Sequence, residues 1–212
     1  MEVYVLNMPQ RHERLKSIEQ EFHGKDNFSV HIVTPVRHAI PRVSHWLTFK
    51  LLTEQAKSIG QDCFVFCEDD HIFTKDYDEQ SFYAIVQQAN ELKADVLMGG
   101  VSWMASPLQV SDHLFWLESF NGTQFVIVFS RCYDKILCSN WEEENVVTDF
   151  HISSCSENIF VMYPFISMQR DFGYSDVTSF NNKEGYVKGL FDSTSVGLSI
   201  LNKVRNFYHG LQ

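Results

Sequence analysis

The chain has no apolar run long enough to cross a membrane, so none of its 212 residues reads as a spanning helix. Its opening residues, Met1-Glu2-Val3-Tyr4-Val5-Leu6-Asn7, carry no basic leader and only a short apolar run, and are not expected to act as a signal peptide. Positive charge is scarce. Seventeen Lys and Arg against 27 Asp and Glu give a net charge of -10, which argues against a generic nucleic-acid-binding surface. There are only five cysteines, and no two have Cys-x-x-Cys spacing. An odd number without framework spacing fits reduced core thiols better than disulfides or a zinc site. Neither Gly-x-Gly-x-x-Gly nor Gly-x-x-x-x-Gly-Lys-Ser/Thr occurs, which weakens dinucleotide-binding and P-loop readings. No repeat, low-complexity segment or linker is visible. These absences lead to the expectation of one domain over residues 1–212, soluble and cytoplasmic. It would touch the inner face of a membrane peripherally at most.

What the chain does have is Cys63-Phe64-Val65-Phe66-Cys67 running straight into Glu68-Asp69-Asp70. A continuous apolar run of this length predicts a strand buried on both faces. Three adjacent acids at its end cannot all be buried bare, because each unpaired carboxylate costs several kcal/mol to desolvate. A divalent cation at the carboxyl end of the strand would resolve this, and open α/β sheets place their ligands there. The alternative is a solvated acidic turn.

The flanking sequence predicts a strand over 3–8, then a helix over about 10–23 with Arg11 and Arg14 at its start. Arginines there oppose the macrodipole unless an anion lies nearby. A strand over 28–36 and a helix from Pro41 to about Ser58 follow. Phe82, Ile85, Val86, Ala89 and Leu92 mark another helix. The strand ending at Met98 meets Gly99-Gly100, where the backbone is expected to approach a ligand closely. Residues 101–121 are irregular and aromatic; Trp103, Phe115 and Trp116 are either sugar-stacking surfaces or core. A second fully apolar strand follows Gly122-Thr123, and Glu142-Glu143-Glu144 reads as a solvated face. If Thr148–His151 is extended, Asp149 and His151 point to one side, able to share a metal, relay a proton or simply hydrogen-bond. Ile200, Leu201, Val204, Phe207 and Tyr208 form a C-terminal helical stripe. It is expected to close the core, though with Lys203 and Arg205 it could meet a membrane. The order of elements points to an α/β fold whose first half, about 1–100, is a Rossmann-like nucleotide-binding unit, and whose second half, about 101–212, is β-rich and faces the acceptor.

Several stretches together resemble glycosyltransferase family 25, the lipopolysaccharide and collagen β-galactosyltransferase group. They are Val3–Asn7 with Arg11 and Arg14; Ser44-His45; Phe66–Asp70; Gly122–Ile127; Thr148-Asp149; and Tyr163–Gln169 with Ser175-Asp176-Val177. They stand in the family's order over about residues 3 to 177. Cys67 and His71 stand where the family commonly has aliphatic residues.

The resemblance implies a GT-A type fold, with a mixed central sheet flanked by helices. It also implies a UDP-sugar donor, transfer with inversion, and an oligosaccharide or lipid-linked glycan acceptor such as lipopolysaccharide. On this basis Mn²⁺ or Mg²⁺ would sit on Glu68 and Asp70, with His151 completing the set. Asn7, Arg11, Arg14, Ser44, His45 and Asp69 would hold the donor, joined by Gln169 and Ser175. The general base would be Asp149 or, second, Asp176. Two other readings stand beside this one. A catalytically inactive homologue would bind sugar nucleotide or glycan without turnover. A metal-dependent phosphohydrolase or nucleotidyltransferase would need more scattered carboxylates or a basic phosphate loop.

Overall fold

The structure is a computed structural model and describes residues 1–143, 145–173, 183 and 185–210. The first half runs β1 (Glu2–Leu6), α1 (His12–Phe22), β2 (Ser29–Val33), α2 (Pro41–Ser58), β3 (Cys63–Glu68), β4 (His71–Phe73), α3 (Glu79–Glu91) and β5 (Val96–Met98). The second half contributes β6 (Trp103–Ala105), β7 (Leu108–Gln109), β8 (Leu114–Leu117), β9 (Ser119–Asn121), β10 (Phe125–Phe129) and α4 (Ser130–Leu137). It ends with α5 (Thr148–Cys155), β11 (Ile159–Met162), β12 (Ser167–Gln169) and α6 (Tyr186–His209).

Eight strands form one sheet in the order β2-β1-β3-β10-β5-β11-β8-β7. The strands β2, β1 and β3 are parallel, β10 is antiparallel to both neighbours, and β5 and β11 are parallel again. The expected α/β class holds: a mixed central sheet flanked by helices. β10, from the second half, lies between β3 and β5, so the two halves interleave.

The apolar run of β3 is explained by its central place. Successive side chains alternate faces. Phe64 and Phe66 join Val43, Trp46, Phe49 and Leu52 of α2 and Tyr133 and Ile136 of α4 on one side. Val65 and Cys67 join Ile18 and Phe22 of α1 and Phe82, Ile85 and Val86 of α3 on the other. Each of these four β3 side chains is fully buried. All five cysteines are free thiols.

Two expectations are corrected and two open alternatives are resolved. A Cβ on Gly99 would lie 2.8 Å from Ser167 Cβ, and one on Gly100 2.2 Å from the Ser167 carbonyl oxygen. The close approach at these glycines is therefore to the chain's own β12, not to a ligand. Phe115 is core, and Trp116 spends its indole N–H on the Glu157 carbonyl at 2.6 Å, leaving only Trp103 substantially exposed among the three aromatics. Thr148–His151 is the start of α5 rather than an extended segment. The C-terminal stripe lies on a helix but does not close the core. Val187, Phe191 and Leu198 are buried there, whereas Ile200, Leu201, Val204, Phe207 and Tyr208 are exposed.

Candidate active site

The parallel strands β1 and β3 end side by side, with Leu6 opposite Glu68. The antiparallel β10 brings its lead-in, Gly122-Thr123-Gln124, to the same edge, where the Glu68 N–H donates to the Gln124 carbonyl at 3.2 Å. The first turns of α1, α2 and α5 also arrive here. A cavity of about 340 Å³ opens between them, lined by Arg11, Arg14, Ser44, His45, Glu68, Asp69, Asp70, Asp149 and Gln169 among others. The sequence places these residues far apart; the crossing of parallel and antiparallel strands brings them together.

The three acids after β3 have three different surroundings. Asp69 is buried. It accepts from Asn7 Nδ2 at 3.0 Å and from Arg14 Nη1 at 2.9 Å, and Arg11 Nη1 lies 3.7 Å away. Asn7 does not line the cavity; it acts by fixing Asp69. Arg14 is buried as well, with its guanidinium 4.7 Å from the centre of the Phe172 ring. The anion that makes arginines tolerable at the start of α1 is thus the protein's own carboxylate pair.

Glu68 accepts from Thr123 Oγ1 at 2.5 Å, and His45 Nε2 lies 3.5 Å from the same Oε1. His45 is oriented through Nδ1, 2.7 Å from Thr148 Oγ1. Burial alone would push the Glu68 carboxyl up, but His45, Thr123 and Arg14 outweigh it and hold it below its ordinary value. Asp70 goes the other way. Its Oδ2 is 3.5 Å from Arg14, its Oδ1 is buried without a hydrogen-bond partner, and burial followed by the Glu68 charge pushes its carboxyl well above the usual range. Neighbouring carboxylates driven apart in this way commonly divide different tasks between them.

Asp149 sits in the first turn of α5, where a carboxylate complements the helix dipole. Its Oδ2 accepts from Asn121 Nδ2 at 2.6 Å and from the Gly122 N–H at 3.0 Å; its Oδ1 accepts from the Phe150 N–H at 2.8 Å. Burial raises its carboxyl above the ordinary value, partly countered by the two backbone N–H groups. Gly122 has φ +120°, and a Cβ there would lie 2.9 Å from Gln124 Oε1. Adjacent residues therefore hold two separate acids, Gly122 through its backbone for Asp149 and Thr123 through its hydroxyl for Glu68.

Ser44 donates to the Val36 carbonyl at 2.5 Å and so fixes the loop that carries Pro35 and His38 along the cavity wall. Gln169 is opposite His71 in the β4–β12 pair. His71 itself is a core residue: its Nδ1 lies 2.8 Å from Ser167 Oγ, and burial pushes its imidazole down to about 3. His151 is not brought to the cavity. Two residues on from Asp149 on a helix is more than half a turn, so its ring points away. It packs 4.5 Å from Trp46 with Nε2 3.0 Å from Ser139 Oγ. Ser175 and Asp176 lie outside the described residues. Thr123, Asn121, Arg42 and Thr148 also line the cavity and were given no role from sequence. The Gly122-Thr123 pair was the available signal for the first of these.

Among the described residues, no three or more of His, Cys, Asp and Glu stand together as a ready-made metal cage. The donors present still fit a hard divalent ion. Glu68 is held below its ordinary value, and Asp70 presents a buried oxygen that nothing among the described residues satisfies. Mg²⁺-type sites commonly use one or two carboxylates and take their remaining ligands from substrate phosphates and water.

The fold and cavity together define an α/β protein with a polar, acid-lined site beyond the carboxyl ends of its central parallel strands. No protein-family model matches the chain, and no curated protein does. Among solved structures the chain is similar to A197 from STIV, with a TM-score of 0.51 and 11% identity, over 82% of this chain and 86% of that one. It is also similar to UDP-glucose pyrophosphorylase complexed with UDP-glucose, with a TM-score of 0.47 and 11% identity, over 89% and 79%. A third is a glycosyltransferase involved in the glycosylation of the major capsid of PBCV-1, with a TM-score of 0.41 and 9% identity, over 77% and 93%. At these identities the likeness is one of fold.

Proposed function

We propose that the chain is a GT-A type glycosyltransferase resembling family 25, which uses a UDP-sugar and moves a hexose, galactose or glucose, to a glycan acceptor with inversion. The observation that carries this reading is the division of carboxylates around one cavity, with Glu68 and Asp70 at the end of β3 and Asp149 in the first turn of α5. Glu68 and Asp70 would hold Mn²⁺ or Mg²⁺ together with the donor diphosphate. When bound, the ion would stabilise the charge that develops on the departing nucleoside diphosphate. Arg14 keeps Asp69 and Asp70 in place, while Arg11 and Arg42 add positive charge to the same cavity.

Asp149 is the general base in this reading. Asn121 and Gly122 fix its orientation, and its raised basicity suits removal of a proton from an acceptor hydroxyl. Gln169 would hydrogen-bond a sugar hydroxyl. Trp103 is paired across the sheet with Asn121, and its half-exposed ring lies 6.0 Å from that of Phe150. Phe150 follows Asp149 in α5, and neither aromatic ring lines the cavity itself.

A thermal-shift panel tests the proposal: UDP, UDP-galactose, UDP-glucose, UDP-N-acetylglucosamine, GDP-mannose and CMP-sialic acid, each with Mn²⁺ and with EDTA. A ligand that binds only the folded state raises its melting temperature. A Mn²⁺-dependent shift with one UDP-sugar supports the reading and names the donor. No shift with any nucleotide refutes it. The bonds that Arg14 makes to Asp69 and Asp70 favour a second reading, in which the acids are structural and the protein binds without turnover. A nucleotide shift with no transfer to any glycan acceptor would select that one.

A further inference from the structure

Helix α6 has a face that the fold does not use. Val196, Ile200, Val204 and Phe207 follow one another at spacings of four and three, which places them in one sector of about 80°. They are 58%, 55%, 48% and 80% exposed, and the neighbouring Tyr208 is also 80% exposed. The opposite side of the helix carries the buried Val187, Phe191 and Leu198. The stripe is thus a solvent-facing apolar row on a helix already anchored to the domain.

Two observations indicate what covers it. The chain carries -10 overall, yet no Asp or Glu occurs after Asp192, while Lys203, Arg205 and His209 do. Lys203 is exposed beside the stripe, and Arg205 lies on the far side, paired with Asp112 at 2.5 Å. The row also ends in an exposed Phe-Tyr pair, and amphipathic aromatic rings suit the headgroup level of a bilayer. We propose that α6 docks its Val196–Phe207 stripe and Tyr208 onto a membrane surface bearing anionic headgroups, with Lys203 supplying the electrostatic contact. A second copy of the chain is the less favoured occupant. Isologous pairing about the middle of the stripe would bring the two exposed Lys203 ammonium groups together. The other end of α6 rims the cavity through Val187 and Leu190. Membrane docking would therefore hold the cavity near the headgroups. The inference stands on this surface alone and does not need the transferase reading.

Co-sedimentation with vesicles tests it, using phosphatidylcholine alone and a phosphatidylcholine–phosphatidylglycerol mixture. The protein should partition about tenfold more onto the mixed vesicles, and added salt should weaken the binding. The double variant Phe207→Ser/Tyr208→Ser and the single variant Val204→Asp should each lose about tenfold in binding, with unchanged melting temperature. Absence of binding to any vesicle overturns the proposal, and so does equal binding by wild type and variants. A dimer in light scattering that the same variants dissolve would assign the stripe to a second copy instead.

Discussion

Replacing Asp70 with Asn should make the metal-free protein more stable while destroying its response to Mn²⁺. Asp70 is half-buried, its Oδ1 is buried without a hydrogen-bond partner among the described residues, and its Oδ2 is 3.5 Å from Arg14. Burial first, and the neighbouring Glu68 second, place its folded pKa well above the ordinary carboxylate value. The sign follows from linkage. Below the unfolded value both states are protonated, and the group's full contribution to stability is present. As pH rises through the unfolded and then the folded value, that contribution is lost, because the unfolded chain gives up the proton more easily. Asn carries no charge and avoids the loss.

Leaving a buried polar group unsatisfied costs about 1–3 kcal/mol, and more when it is charged. The substitution also gives up the long contact to Arg14, worth about 1 kcal/mol, although Arg14 keeps Asp69. A net gain of up to about 2 kcal/mol near neutral pH corresponds to a rise of up to about 8 °C in Tm for a chain of this size. The gain should shrink to nothing as pH falls to about 4. Differential scanning fluorimetry in EDTA across that range measures it. The same variant should show no Mn²⁺-dependent shift with a UDP-sugar. Destabilisation at neutral pH without metal, or a retained Mn²⁺-dependent shift, would refute the reasoning.

Four further outcomes are expected. Asp149→Asn should keep the donor-induced thermal shift and lose about 10²–10⁴ in transfer rate, and near wild-type transfer would pass the role of base to Asp176. Because the base must be ionised and Asp149 is raised by burial, wild-type transfer should fall on the acid side at a midpoint above the usual carboxylate value, read from a pH–rate profile. Gly122→Ala puts a Cβ at φ +120° and 2.9 Å from Gln124 Oε1, so it should cost about 1–3 kcal/mol, seen in chemical denaturation. His151→Ala should leave the midpoint of a Mn²⁺ titration unchanged, and a shifted midpoint would return His151 to the metal site.

The sheet was legible in the sequence because its signals are local. The Cys63–Cys67 run needed only its own apolarity to read as a central strand, and the alternation of Phe64 and Phe66 with Val65 and Cys67 does pack against helices on both faces. The acids after it, and the arginines after β1, were legible as a candidate site because charge placed at strand ends is unusual, and they do line one cavity. What the sequence hid was phase. Asp149 and His151 share a face only if the chain is extended. On α5 the same spacing sends one to the cavity and the other to Trp46. The C-terminal stripe failed for a related reason: a periodicity identifies a face but does not say whether anything covers it. Val187, Phe191 and Leu198 won the core side of α6, and the more conspicuous residues were left outside.

Gly122-Thr123 shows why part of the site needed three dimensions. In sequence it is only the polar lead-in to an apolar strand. Because β10 runs antiparallel to β3, this lead-in lies against the end of β3, where the acids emerge. A Thr hydroxyl there meets Glu68, and the preceding N–H meets Asp149. The two acids assigned opposite tasks, one toward the donor and one toward the acceptor, are therefore fixed by consecutive residues of one backbone. A shift of that segment would move both together. Substitution at Gly122 should accordingly disturb metal-dependent donor binding as well as transfer, whereas a change confined to Asp149 should disturb transfer alone. Measuring both quantities in the Gly122→Ala and Asp149→Asn proteins separates a shared mounting from two independent ones.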